Sequence, residues 1–217
     1  MQYFGHTVST EEANTTQGGD SGQTSSSGGE SSSNSLKAKN GIENIGLAVF
    51  KDERMVGKLS PTETLCHLLV TNELQSCNLS IPDPDNSNSR IDLYVTLNNP
   101  TKTNVYILNG TPYVKIDVNV NSRISSISNL SEGNAQERIT RIEKAAENYL
   151  RTQIFDYLYK TSKYLETDII GAGKYALKHF NTAYDFENYN WLEKYTDAFF
   201  EVSTSLNVKS SFLLTGT

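Results

Sequence analysis

Apolar and polar residues alternate along this chain at two periods, and the switch between them separates a strand-rich part from a helix-rich part. Between 91 and 120, apolar side chains recur at every second position, which is typical of strands with one buried face. After Asn134 they recur about every 3.6 residues, as on one side of a helix. We therefore predict an α+β fold.

A hairpin followed by a capped helix is predicted at the start of the patterned region. Apolar residues on both sides of the polar turn 51–54 favour two antiparallel strands. Ser60, Pro61 and Glu63 then supply a capping hydroxyl, a proline at the first helical position and a glutamate at the third. A helix that runs to about Leu74 should follow.

Short strands joined by tight turns are predicted for the period-two segment. The alternating apolar residues are Ile91, Leu93, Val95, Leu97, Val105, Ile107, Val114, Ile116, Val118 and Val120. Turn residues stand at 98–100 and at Asn109-Gly110. Because strands joined by tight turns pair antiparallel, we expect an antiparallel or mixed β-sheet of about five to seven strands.

A long amphipathic helix, at about 134–164, is predicted to pack on one face of this sheet. The charged side chains opposite its apolar stripe include Arg138 and Arg141. Shorter helices at 175–180 and 191–199 should pack on the same face. A final strand should place these residues on one side and close with Gly216: Val202, Leu206, Val208, Phe212 and Leu214.

The N-terminal residues 1–41 are too poor in apolar side chains to form a core. Serine, glycine and threonine predominate there, so burial cannot offset the entropy of ordering, and we predict a disordered tail or linker. Residues 42–217 should form one domain. The formal net charge is −6, and basic residues do not cluster with aromatic ones, which excludes a nucleic-acid partner.

No enzyme motif or metal-ligand spacing stands out. The three histidines, His6, His67 and His179, are far apart, and Cys66 and Cys77 match neither a zinc pair nor a redox motif. Two buried thiols are the expected state of the cysteines, with a disulfide as the alternative. The sequence therefore indicates a non-catalytic domain without metal or cofactor.

A polar segment, Asp83–Ser89, has the alternating oxygen ligands of a calcium loop. It lacks the glycine at the sixth position, and Tyr94 stands where such a loop has its closing glutamate. We interpret the segment as a polar loop before a strand.

The candidate binding residues are Asp168, Trp191 and Tyr195. Asp168 precedes a Gly-Ala-Gly sequence, where it could serve a binding cleft or cap a helix, and capping is the interpretation we favour. Trp191, Tyr195 and Phe199 stand at helical spacing, either as an exposed platform or, as we expect, as a core-facing stripe.

Several segments resemble the C-terminal domain of the GerAC-type spore-germination proteins, the lipoprotein subunits of germinant receptors. The resemblance covers about 46–216 and rests on 46–52, 55–59, 62–64, 114–118 and 168–173, together with the long helix and the segment around Trp191. The sequence departs from the family at Tyr195, where a second tryptophan is expected.

The resemblance implies a structural or interaction domain that helps to assemble or position a germinant receptor in spore germination. Its partners would be the membrane-embedded receptor subunits, on the outer face of the spore inner membrane. Membrane association is expected from the family only, because the sequence shows no signal peptide or lipid-accepting cysteine.

Two other hypotheses stay open on the residues alone. A secreted binding module could hold a cell-wall glycan or a small molecule on the Trp191 aromatic cluster, which would then be exposed. A cytoplasmic enzyme would need a pocket that contains titratable groups with shifted pKa values.

Overall fold

A computed structural model describes residues 8–9, 42–43, 46–127 and 135–209. Within them the α+β prediction is confirmed. The strands are β1 (Val8–Ser9), β2 (Ile42–Glu43), β3 (Leu47–Lys51), β4 (Arg54–Leu59), β5 (Cys77–Asp83), β6 (Asn86–Leu108), β7 (Thr111–Ile127) and β8 (Phe199–Val208). The helices are α1 (Pro61–Val70), α2 (Ala135–Tyr159), α3 (Ala172–Ala176), α4 (Ala183–Tyr189) and α5 (Trp191–Tyr195).

The main sheet has four strands in the order β5-β6-β7-β8. The first three pair antiparallel, whereas β8 pairs parallel to β7. A parallel neighbour needs a long crossover connection, and the helical segment between β7 and β8 supplies it. The sheet is therefore mixed.

The expected strand count of about five to seven is wrong for this sheet, for two physical reasons. The hairpin β3–β4 forms a separate two-stranded sheet. The predicted turn at 98–100 does not exist, because β6 continues through it with shifts of register against β7. Pro100 is tolerated there because β5 pairs with β6 only as far as Val95, so its missing N–H breaks no β5 hydrogen bond. The Asn109-Gly110 turn is confirmed, with φ of 50° and 81° respectively.

Side chains cover parts of the exposed edges of this sheet. Beyond Val95, the edge of β6 is covered by Asn72, whose amide exchanges hydrogen bonds of 2.5 and 3.2 Å with the Thr101 backbone. On β8, the N–H groups of Leu206 and Val208 donate to carboxylates that α2 carries. Edges occupied in this way are poor templates for unwanted strand pairing.

The long helix is confirmed, but its last turn differs from an α-helix. α2 is followed directly by a π-helical turn, Lys160–Tyr164, so the helical segment ends where the sequence predicts. One prediction about its faces is wrong. Arg138, expected on the exposed side, is 6% exposed because its guanidinium pairs with carboxylates of the β5–β6 turn.

The C-terminal helices differ from the prediction in their bounds. α4 is an additional helix, opened by a capping box in which Thr182 and Asp185 exchange two hydrogen bonds of 3.1 Å. α5 ends at Tyr195, so Phe199 does not share a helical stripe with Trp191. Instead it starts β8 and is 66% exposed. The predicted Phe212, Leu214 and Gly216 positions and most of the predicted tail lie outside the described residues.

Candidate interaction site

The carboxylate of Asp168 joins three segments at a buried corner. Oδ1 accepts a hydrogen bond of 2.8 Å from the Ala172 N–H, and Oδ2 accepts from the Gly173 N–H at 2.7 Å and from the Trp191 indole N–H at 2.8 Å. Burial raises the pKa of Asp168, and these donors oppose that shift. Gly171 allows the chain to enter α3 in the left-handed region, at φ 69°.

Trp191 closes this corner from the other side. A side chain at Gly173 would lie 2.9 Å from the indole Nε1, so the ring packs directly on the backbone. Trp191 is 7% exposed and Tyr195 is 0% exposed. With Asp168, these residues are the predicted candidates, and the structure brings all three into the interior. In this arrangement Trp191 does not form an exposed binding surface.

Arginines of α2 occupy the carboxylates of the segment that we compared with a calcium loop. Arg138 contacts Asp83 at 3.2 Å and Asp85 at 2.8 Å, and Arg141 forms two hydrogen bonds of 2.8 and 3.1 Å to Asp85. The hydrogen bonds from Arg141 lower the pKa of Asp85. These contacts fasten the β5–β6 turn to the first turns of α2, and the predicted polar loop is a tight turn between two strands.

The other chemically distinctive side chains also lie in structural positions. His67 Nδ1 and the Tyr157 hydroxyl form a buried hydrogen bond of 2.8 Å between α1 and α2, and burial lowers the pKa of His67. Both cysteines are free, and burial raises the pKa of Cys66 to about 12 and that of Cys77 to about 11. Such thiols are neutral and unreactive at physiological pH.

An exposed row of aromatic rings runs along the outer side of the long helix. We call Phe155, Tyr159 and Tyr164 the helix ridge. Their exposed fractions are 43%, 44% and 75%. Phe155 stacks on Tyr159 with ring centroids 6.4 Å apart, and Tyr159 meets Tyr164 edge to face at 6.2 Å. The ridge is a continuous aromatic surface on a rigid element.

The π-helical turn is what brings Tyr164 onto the ridge. The hydrogen bonds of such a turn join residues five apart, so Tyr164 lies nearer the line of Tyr159 than it would in an α-helix, where it would lie well to one side. The buried hydroxyls of Thr161 and Ser162 donate to the carbonyls of Leu158 and Tyr159, which satisfies backbone groups of the altered turn. π-Helical turns are frequent at functional sites.

A second exposed surface is the sheet face opposite the long helix, which we call the open face. Its residues lie in rows across β6, β7 and β8. From the β6–β7 turn inward, the rows are Tyr106, Tyr113 and Phe199; then Asn104, Lys115 and Glu201; then Lys102, Asp117 and Ser203. Farther along lie Asn119 and Ser205, then Thr96, Asn121 and Asn207. In the second row Glu201 accepts hydrogen bonds from Tyr113 and Lys115.

Sequence reasoning missed both exposed surfaces. Phe155 and Tyr159 lie off the apolar stripe of α2, which was a usable signal, because exposed large aromatic residues are uncommon on a helix. Nothing in the pattern indicates the π-turn. The rows of the open face depend on the register of β7 with β6 and β8. The alternation of apolar residues does not predict that register.

Comparison with known proteins identifies the family. The family described as spore germination B3/GerAC like, C-terminal, matches residues 45–211, a span that includes every element from β3 to β8. The chain belongs to this GerAC-like family. The resemblance carried by segments such as 46–52 and 168–173 is therefore confirmed.

Two relatives show the extent of the likeness. The spore germination protein GerQC of Bacillus cereus is 24% identical over 178 residues, which are 81% of this chain and 47% of that protein. A crystal structure of the GerBC protein superposes with a TM-score of 0.64 at 19% identity, covering 78% of this chain and 53% of that one. At this identity the superposition shows a shared GerAC-like fold.

The chain spans about half the length of these relatives. None of the helices in the described residues is both long and apolar enough to cross a membrane. The family places the chain with the C-terminal domains of GerAC-like spore germination proteins.

Proposed function

We propose that this domain is a non-catalytic assembly module of a spore germinant receptor, and that the helix ridge binds the membrane-embedded receptor subunits. The observation that carries the proposal is the contiguous exposure of three aromatic rings on the long helix of a GerAC-like domain. The site of action would be the outer face of the spore inner membrane.

The chemistry of the ridge suits protein recognition. Tyrosine and phenylalanine bring a large contact area at little cost in side-chain entropy, and aromatic anchors dominate the energetics of many interfaces. The helix α2, which carries Phe155 and Tyr159, is held from beneath by buried residues, among them Ile154 and Leu158. The ridge is therefore preorganised, and binding requires little further ordering.

Charged side chains border the ridge on both sides. Lys160 pairs with Glu63 at 2.8 Å, and Lys163 pairs with Asp197 at 2.9 Å. An apolar centre with a polar, ion-paired rim is the usual anatomy of a protein interface.

Co-purification tests this proposal directly. The tagged full chain should capture the membrane-embedded receptor subunits from detergent extracts, and substitution of Phe155, Tyr159 and Tyr164 together by glutamine should abolish capture. A matched control is Tyr184→Gln, because Tyr184 is 70% exposed but lies on α4 and makes no ring contact with the ridge residues. Capture by the ridge variant at the wild-type level, or no capture by the wild type, would refute the proposal.

A further inference from the structure

The open face differs from the helix ridge in its chemistry. Its side chains are exposed or half-exposed over the full pairing of β7 with β8, from Tyr113 to Ser122. At about 3.3 Å per residue, that pairing is about 30 Å long. This is room for several sugar rings or a stretch of extended polymer.

Charges in the rows named above balance. Lys102 and Lys115 are matched by Asp117 and Glu201, although the chain as a whole carries a net charge of −6. A surface without excess charge has no electrostatic preference for a polyanion or a polycation. Such a surface is compatible with an uncharged ligand.

Amides and hydroxyls fill the rows beyond the charged residues. Among the described residues, no partner engages the side chains of Asn104, Asn119 and Asn207, so each amide offers donors and an acceptor to a ligand. The exposed hydroxyls of Ser203 and Ser205 lie beside them on β8. These groups complement a ligand that is rich in hydroxyls and amides.

An aromatic row closes one end of the face. The rings of Tyr106 and Tyr113 lie 6.4 Å apart, and Phe199 is the neighbour of Tyr113 on β8. Tyr106 is 43% exposed and Phe199 is 66% exposed. Exposed rings of this kind can stack on the apolar face of a sugar.

From these observations we propose that the open face binds an uncharged glycan strand built of N-acetylated sugars. The aromatic row stacks on a terminal ring, and the asparagine rows exchange hydrogen bonds with acetamido and hydroxyl groups. A protein partner fits less well, because protein interfaces place their aromatic anchors at the centre and their polar groups at the rim. Here the apolar row is at one end and the centre is polar.

Titration of the full chain with a chito-oligosaccharide by isothermal calorimetry tests the proposal. The wild type should bind saturably, and the double variant Tyr106→Ala, Phe199→Ala should bind about ten-fold more weakly or not at all. Ser205→Arg, which obstructs the polar rows without altering the core, should weaken binding as well. Tyr184→Ala is the matched control and should bind as the wild type does.

Several results would overturn the proposal. The first is the absence of saturable glycan binding by the wild type. The second is an unchanged glycan affinity in both the double variant and Ser205→Arg. The third is a double variant that changes self-association or capture of receptor subunits while its glycan affinity stays the same. Equal binding of a polyuronate would also contradict it, because an uncharged ligand is specified. The helix ridge is untouched by these variants, so failure here leaves the proposed receptor contact as it stands.

Discussion

The buried corner and the helix ridge are both aromatic, yet they do opposite things. At the corner, Trp191 is 7% exposed and donates to a buried carboxylate, whereas Tyr164 on the ridge is 75% exposed and meets the exposed ring of Tyr159 edge to face. The comparison shows that aromatic density in a sequence does not locate a binding surface. The corner should determine stability, and the ridge should determine binding.

Removal of the Asp168 carboxylate should have the largest effect on stability. Asp168→Ala leaves the N–H groups of Ala172, Gly173 and Trp191 buried without an acceptor, and we expect the free energy of unfolding to fall by about 3 kcal/mol. Urea denaturation followed by circular dichroism measures the loss. A decrease below about 0.5 kcal/mol would mean that the corner is not structural.

Gly173→Ala should disturb the same corner by steric means. The added methyl group would lie 2.9 Å from Nε1 and 3.0 Å from Cδ1 of Trp191, so the ring must shift. We expect a loss of about 1–3 kcal/mol, measured by the same denaturation. A blue-shifted Trp191 fluorescence that does not change in the variant would argue against this contact.

Acid should destabilise the domain through His67 of α1, which bonds to Tyr157 on the inner side of the long helix. Burial lowers the pKa of His67 from its ordinary 6.5, so the unfolded chain takes up the proton first as the pH falls. The stabilisation that neutral His67 gives the folded domain is complete above pH 6.5 and is lost as the pH falls below that value. The difference in unfolding free energy between the wild type and His67→Gln, measured from pH 7 to pH 5, isolates this effect. A difference that does not change with pH would contradict it.

Substitutions on the ridge should have the smallest effect on the free energy of unfolding. Phe155→Gln and Tyr159→Gln replace rings that are 43% and 44% exposed, so each should change the free energy of unfolding by less than about 0.5 kcal/mol. Losses near those of the corner variants would show that the ridge rings belong to the core.

The sequence predicts most of the local elements and little of their arrangement. The capping box at Ser60 and the Asn109-Gly110 turn are local chemistry, and both are present. The turn expected at 98–100 is absent because strand pairing with β7 overrides the local preference of Pro100. Helix α4 carried a recognisable signal, the capping pair Thr182 and Asp185.

The candidate site was harder to predict than the fold. Burial of Arg138 depends on Asp83, which is 55 residues away, and periodicity contains no such information. The ridge depends on a π-turn that hydroxyls at 161 and 162 accommodate, and the rows of the open face depend on strand register. These features depend on tertiary contacts, and the pattern of a single sequence does not reveal them.

Site-specific photo-crosslinking tests the central claim most directly. A photoreactive residue at position 159 of the full chain, expressed with the membrane-embedded receptor subunits, should form adducts with one of them. The same group at position 184 on α4, where the native tyrosine is 70% exposed against 44% at position 159, should form none. Adducts from 184 and not from 159, or adducts from neither position, would contradict the assignment of the helix ridge as the receptor contact.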